Sequence, residues 1–258
     1  MVNLPLSRIP EIFVGALDYR RDCDAMDIGQ ATFNEERLYR ALEHFAVAWH
    51  REHGRPAIVL DLCCATGLTA ERIASAVPVK SIALVDIDPD MLSRAGIRCA
   101  PRSPIESYCV DAVTFSSTST FDIILMNSSY HHIEDSRKPA FLVNARSLLS
   151  HDGALLVGEN FIFESTGSQG KQRSVVRFYS ILLKALSDAG EKTQAINIIR
   201  RSGLYCWEGF YEYKVSWRYF LTQIQEAGLE VREYVAVWTA TDDPRDFAGS
   251  CAVRLARR

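Results

Sequence analysis

Between residues 33 and 53, apolar side chains recur at Leu38, Ala41, Leu42, Phe45, Ala46 and Trp49. That spacing puts them on one face of a helix, with Asn34 placed to cap its start and Gly54 to end it. The pattern then changes to a continuous apolar run, Ala57 to Leu62, behind Pro56, which predicts a strand buried on both faces of a parallel sheet. Further along, the pattern predicts a helix over 68–76, a strand over 81–85, a helix over 89–95, a short strand over 108–110 and a strand over 121–126. A helix over 136–149 and a strand over 154–157 follow. Strands separated by helical segments mean βαβ units, whose right-handed crossovers build a doubly wound, mostly parallel α/β sheet.

After Glu159 this rhythm breaks. Residues 161–214 hold a Gly/Ser-containing loop, a helix over 174–189 and a cluster of Tyr205, Trp207, Phe210, Tyr211 and Tyr213. A connection of this length inside a compact domain is usually functional. A helix over 216–227 restores the pattern. Two strands, 231–238 and 250–256, close the chain; the short polar loop between them makes them antiparallel neighbours. The expected architecture is a seven-stranded sheet with an antiparallel terminal strand. Residues 1–33 form a helical N-terminal lid, 34–258 a single domain, and 161–214 an insertion after the fifth strand.

Composition narrows the function. The 258 residues are 48% hydrophobic and 24% charged, enough apolar matter for one sizeable core and no sign of disorder. With 29 Lys+Arg against 32 Asp+Glu the formal charge is −3, so no broad positive field exists for a nucleic acid. The seven cysteines show neither CxxC nor Cys/His spacing, which predicts neither a metal site nor a disulfide framework. The start of the chain lacks the pattern of a signal peptide, and no apolar run is long enough to span a bilayer. These observations predict a cytoplasmic protein whose partner is a small molecule.

The chemistry concentrates at strand ends. In the stretch Val59 to Gly67 a buried strand ends on Asp61, small residues follow and a helix begins; small side chains let the backbone approach a ligand, and the helix N-terminus offers free N–H groups. About twenty residues on, the second strand ends in Val85-Asp86-Ile87-Asp88, where Asp86 is placed to accept hydrogen bonds from both ribose hydroxyls. An NAD-type fingerprint needs glycines where Cys63 and Ala65 stand. Asp61 at the loop mouth also repels phosphate and suits a cationic ligand.

These residues resemble the class I (Rossmann-like) S-adenosylmethionine-dependent methyltransferases. The first motif of that family is similar to Asp61-Leu62-Cys63-Cys64-Ala65-Thr66-Gly67, with Ala65 where the family carries a central glycine. The second is similar to 85–92, with Asp86 as ribose acid and Ile87 beside adenine. Val110-Asp111-Ala112 matches the adenine-side acid, and 121–127, ending on Asn127, matches the fourth motif. The resemblance implies S-adenosyl-L-methionine as cofactor, held by Tyr19, Asp61, Cys63, Ala65, Gly67, Asp86, Ile87, Asp111, Ala112 and Asn127.

Candidates for the reaction itself are Tyr130, His131, Glu159 and Tyr211. Tyr130 and Asn127 follow the fourth strand near the expected sulfonium. His131, in an HH pair that in the resembling family commonly helps shape the pocket, is a candidate for proton transfer. Glu159 and Asn160 are placed to hold a substrate amine or hydroxyl. Tyr19, Tyr205, Trp207, Tyr211 and Tyr213 supply aromatic faces for a cation, and Arg20, Arg21 and Arg177 are candidates for a carboxylate. The leading expectation is methyl transfer to a small metabolite. One alternative is attack on Cγ, by cyclisation to azetidine-2-carboxylate or aminocarboxypropyl transfer, with release of methylthioadenosine. Another is a non-catalytic nucleoside-binding module.

Overall fold

The computed structural model describes residues 9–258; residues 1–8 of the expected N-terminal lid lie outside the described residues. Seven strands, β1 (Ala57–Leu62), β2 (Val79–Asp86), β3 (Ile105–Cys109), β4 (Phe121–Asn127), β5 (Leu149–Phe161), β6 (Leu229–Thr239) and β7 (Gly249–Arg257), form one sheet. Their order is β3-β2-β1-β4-β5-β7-β6. The pairs β1–β2, β1–β4, β2–β3 and β4–β5 are parallel, whereas β7 runs antiparallel to both β5 and β6. The fold class is the one expected.

Each central strand feeds two cores because successive side chains point to opposite faces. Ile124 and Met126 of β4 join Phe141 and Leu142 of α5 (Lys138–Leu148) and Phe220 and Ile224 of α8 (Trp217–Glu226). Ile123 and Leu125 instead meet Leu38, Leu42, Phe45 and Trp49 of α2 (Phe33–His53), Ile73 of α3 (Leu68–Ala76) and Leu92 of α4 (Pro89–Cys99). Gly54 ends α2 in the left-handed conformation, as expected.

The start of α2 differs from expectation. Its N-cap is Thr32, and the Phe33 N–H donates to Glu191 Oε1 at 2.7 Å. A carboxylate 158 residues away in sequence satisfies that end of the helix, so Asn34 lies inside the first turn with its side chain buried. The strand expected over 108–110 is Ile105–Cys109, and that expected over 154–157 runs through Leu149–Phe161. The first is a half-exposed edge strand with a weak apolar signal; the second carries Glu159 and Asn160 within the strand rather than past it.

Residues 161–214 contain two helices where the sequence predicts one: α6 (Gly167–Asp188) and α7 (Thr193–Glu208). They pack as a hairpin over a third core of Phe163, Val175, Phe178, Tyr179, Leu186 and Leu204, joined by Phe13. Gly203 allows the close approach, since a Cβ there would stand 2.4 Å from the Phe13 ring. The short α1 (Cys23–Gly29) docks beside α7 through Ala25, Ile198, Tyr19 and Tyr205.

Candidate functional site

Strand ends β1, β2, β3 and β4 open into one pocket of about 950 Å³, walled by Asp61, Cys63, Ala65, Asp86, Ile87, Asp111, Ala112, Asn127, Ser128 and Tyr211. A pocket at the carboxyl edge of a doubly wound sheet is where such folds hold ligands. Among the described residues, five that are not glycine have left-handed backbone: Arg21, Cys63, Ala65, Ser128 and Tyr211, with φ between 46° and 65°. All five line this pocket. Backbone in this region costs energy for residues with a Cβ and clusters where function requires it.

Asp86 holds the first turn together. Its Oδ2 accepts the Ala65 N–H at 2.8 Å and its Oδ1 accepts the Asp88 N–H at 2.9 Å. Each oxygen keeps a further lone pair for a ligand. Burial raises its pKa, against these backbone bonds. Burial, together with the charge of Asp86, pushes the Asp61 carboxyl up to about 8. Its Oδ2 is buried without a hydrogen-bond partner among the described residues. Both polar atoms of Asn127 are likewise unpartnered, and Gly158 leaves room for that side chain, since a Cβ there would lie 2.0 Å from Asn127 Oδ1. An acid without a counter-ion and orphaned polar atoms at the strand ends suit a cationic nucleoside.

The sign of the Asp61 shift yields a stability prediction. Below pH about 4 the carboxyl is protonated folded or unfolded; above it the unfolded chain ionises while the folded one resists until about 8. Asp61 therefore withdraws stability as pH rises from about 4 to about 8. We expect Asp61→Asn to stabilise the ligand-free protein by about 1–3 kcal/mol at pH 8 and by much less at pH 4, a moderated figure because the adjoining pocket lets the carboxylate relax toward solvent. Urea denaturation at the two pH values measures this; equal differences at both reject it.

Several expected site residues stand elsewhere. Gly67 is not on the pocket wall: at φ 77° it starts α3, and a Cβ there would stand 2.8 Å from Ala95, so its role is close packing against α4. Tyr130 points away from the pocket into the core, where its hydroxyl donates to Gln223 and its ring meets Phe220 edge-on. Glu159 is buried in β5 and does not line the pocket; its Oε1 lies 2.6 Å from His131 Nδ1 and accepts the Asn160 N–H at 2.7 Å. Asp111 does line the pocket, but its Oδ1 accepts the Val113 N–H and its Oδ2 accepts from Arg137 at 2.5 Å. Arg177 sits over Phe163 and pairs with Asp246, away from the site. Trp207 packs with the α6–α7 core.

A smaller inner chamber, about 70 Å³, adjoins the pocket through Met26, Gln30, Ser128 and His132. Tyr19 and His131 line this chamber rather than the main pocket. Tyr211 on the pocket and Tyr19 on the chamber meet with ring centroids 6.2 Å apart, and Tyr205, which lines neither space, packs against both rings at 5.6–6.1 Å. Arg20, on the pocket wall, is held by Asp18 at 2.9 Å and lies over the Tyr205 ring.

The inner chamber contains groups that the motifs did not reveal. Glu212 and Lys214 are buried, with Lys214 Nζ 3.0 Å from Glu212 Oε2, and Tyr19 donates to Glu212 Oε1. Burial opposes the charge of Glu212, yet Lys214 and His131 hold its carboxyl well below the usual range. His131 is clamped between Glu159 and Glu212, with Nε2 3.5 Å from Glu212 Oε2. Burial and the charge of His131 push His132 down to about 4; its Nδ1 donates to the Tyr211 carbonyl at 3.0 Å. His131, His132 and Glu212 bring three ligand-type atoms within 4.8 Å of one another, but Lys214 already supplies the positive charge there. Glu35 faces the chamber from α2, accepting from Ser128 Oγ at 2.9 Å and Asn160 Nδ2 at 3.0 Å. A charged residue on a mostly apolar helix face was a signal for Glu35; nothing in the sequence paired Glu212 with His131.

A clasp outside the motifs fixes α1 to the first turn. Thr66 Oγ1 donates to Asp27 at 2.6 Å, and Arg98 bonds both.

Comparison with known proteins agrees with this geometry. Residues 59–153 match the family model described as a methyltransferase domain. The chain is 40% identical over 80 residues to an uncharacterized methyltransferase of Mycobacterium tuberculosis; that stretch covers 31% of this chain and 39% of the relative. The chain thus spans well under half the length of the mycobacterial relatives it matches. Nodulation protein S of Bradyrhizobium diazoefficiens is 26% identical over 136 residues, 52% of this chain and 62% of that one. Among solved structures, N-methyltransferase NodS from Bradyrhizobium japonicum with S-adenosyl-L-homocysteine aligns over 88% of this chain and 89% of that one, at TM-score 0.57 and 16% identity. A Burkholderia thailandensis 1,6-didemethyltoxoflavin-N1-methyltransferase aligns over 91% and 82%, at TM-score 0.55 and 14% identity. These two show the shared fold.

Proposed function

We propose that this chain, whose residues 59–153 match a methyltransferase domain, is a class I S-adenosylmethionine-dependent methyltransferase that transfers a methyl group to a small molecule. The observation carrying this reading is the pocket built on Asp61, Asp86 and Asp111 at three neighbouring strand ends, with every left-handed non-glycine residue described on its wall. Their names are consistent with it: of the two solved structures above, one is named an N-methyltransferase and the other a 1,6-didemethyltoxoflavin-N1-methyltransferase.

S-Adenosylmethionine supplies a methyl carbon already activated by positive sulfur, so the protein has to bind, orient and exclude water. Asp86 is placed to hold a ribose, and Ile87, exposed at the pocket mouth, to cover a purine. Asp61, held largely protonated in the free site by burial and by Asp86, gains its negative charge when a cationic ligand sits beside the turn. Tyr211 and Tyr19 stand between the pocket and the chamber, backed by Tyr205. His132, kept neutral at physiological pH, reaches both the pocket and the inner chamber, where its Nε2 is free to accept a hydrogen bond.

A second reading is favoured by one observation: at about 70 Å³ the inner chamber is small for a separate acceptor. There the nucleophile is the cofactor's own amine, attacking Cγ with release of methylthioadenosine.

Product identification separates the readings. Incubating the protein with S-adenosylmethionine alone and with candidate acceptors, followed by mass spectrometry, is expected to give S-adenosylhomocysteine only when an acceptor is present. Methylthioadenosine formed without acceptor supports the second reading, and binding without either product rejects both.

A further inference from the structure

The inner chamber is unevenly supplied with charge. Glu212 has Lys214 and Tyr19, and Glu159 has His131. Glu35, 5% exposed, has only the neutral donors Ser128, Asn160 and, at 3.4 Å, the Asn34 amide. Burial and the charge of Glu159 raise its pKa against those bonds and against the charge of Lys214, which pairs directly with Glu212 and not with Glu35. Beside it, Asn34 Oδ1 and Gln30 Oε1 are buried acceptors with no donor among the described residues. All three residues line the same chamber, and a buried acceptor left without a donor is costly.

We propose that the inner chamber is a primary-amine site, in which Glu35 supplies the counter-charge and Asn34 and Gln30 accept the remaining N–H groups. An ammonium offers three donors and no acceptor, matching a carboxyl and two orphaned carbonyl oxygens. A hydroxyl brings one donor and leaves acceptors unmet. A carboxylate or phosphate brings none and meets the charge of Glu35. Phe178, Leu182, Ile198 and Ile199 supply apolar wall for a short aliphatic stem. Gln30 and Ser128 line both cavities, so an amine held here sits where the chamber meets the cofactor pocket. The inference rests on the cofactor reading above and deepens it by naming the nucleophile: the bound ammonium gives one proton to Glu35 and attacks as the free amine, and the electron pair of the S–C bond that breaks goes to the sulfur. The amine has two possible sources: a separate acceptor, or the amino-acid end of the cofactor.

Calorimetry with five probes distinguishes them. Methylthioadenosine carries adenosine and sulfur without an amine and reports the main pocket alone. S-Adenosylhomocysteine and its deaminated analogue test the cofactor's amine. Ethylammonium against ethanol, with and without saturating methylthioadenosine, tests a separate acceptor. We expect at least a tenfold preference for the amine in one of the two pairs; the homocysteine pair assigns it to the cofactor, the ethyl pair to an acceptor. Glu35→Gln is expected to abolish that preference while methylthioadenosine binds as before. The wild-type comparison stands even if the variant folds poorly. No amine preference in either pair, with methylthioadenosine still bound, overturns the inference. Failure of methylthioadenosine to bind sinks the cofactor reading instead, and the ethylammonium preference of the free protein then decides the amine site alone.

Discussion

Asp86→Ala is expected to weaken binding of S-adenosylhomocysteine by roughly 10²–10⁴-fold. Two charge-assisted hydrogen bonds to ribose hydroxyls are worth about 1.5–3 kcal/mol each, and every 1.4 kcal/mol is about tenfold in Kd. The same carboxylate accepts the Ala65 and Asp88 N–H groups, so its removal also frees a turn in which Cys63 and Ala65 are held left-handed. Asp86→Asn keeps the side-chain shape and one acceptor, and should fall between the variant and the wild type. Calorimetric titration measures the affinity, and thermal unfolding reports the tether separately. An alanine variant within threefold of wild-type affinity would remove Asp86 from the ribose and leave it as a purely structural clamp.

The largest stability effect is expected at Lys214. It is 3% exposed and faces Glu212, 2% exposed, at 3.0 Å. Lys214→Met leaves a buried carboxylate without its nearest cation, at a cost of about 3–5 kcal/mol, a large share of the 5–15 kcal/mol typical of a domain. The double variant Lys214→Met with Glu212→Gln removes both charges and should recover much of the loss. The pH dependence has a defined sign. Lys214 and His131 hold Glu212 below its usual value despite burial, so the stability it contributes is present above the unfolded carboxylate range, near 4.5, and is lost as pH falls through and below it. The methionine variant should lose less on acidification. Denaturant unfolding at pH 7 and pH 4 tests both statements, and a loss under 1 kcal/mol at pH 7 would mean that the pair is reached by water.

The alternation of Ile123, Ile124, Leu125 and Met126 between two cores is a local property of a strand, and hydrophobic spacing reveals it. The acids at strand ends were equally legible, because a strand followed by small residues and a helix fixes where its last carboxylate points. Tyr130 was misplaced for the opposite reason. It adjoins a strand end, but it lies in a short 3-10 turn, where a small rotation of the backbone decides whether the side chain enters the pocket or the core. The second helix of the insertion was hidden because its apolar residues divide between the α6 hairpin and the α1 contact, which blurs a single-face pattern.

By itself, then, the sequence determined the parallel sheet, the antiparallel closing strand and the row of aspartates at the strand ends, since each depends on neighbours a few residues apart. The tertiary structure alone decided what lies beyond that row. Glu191 takes the cap of α2 and leaves Asn34 inside, so Glu35 and Asn34 turn toward a chamber finished by Glu212 and Lys214 from the far side of the insertion. Their pairing spans well over a hundred residues of chain, and such contacts follow from how helices dock, which no local pattern of apolar and polar positions encodes.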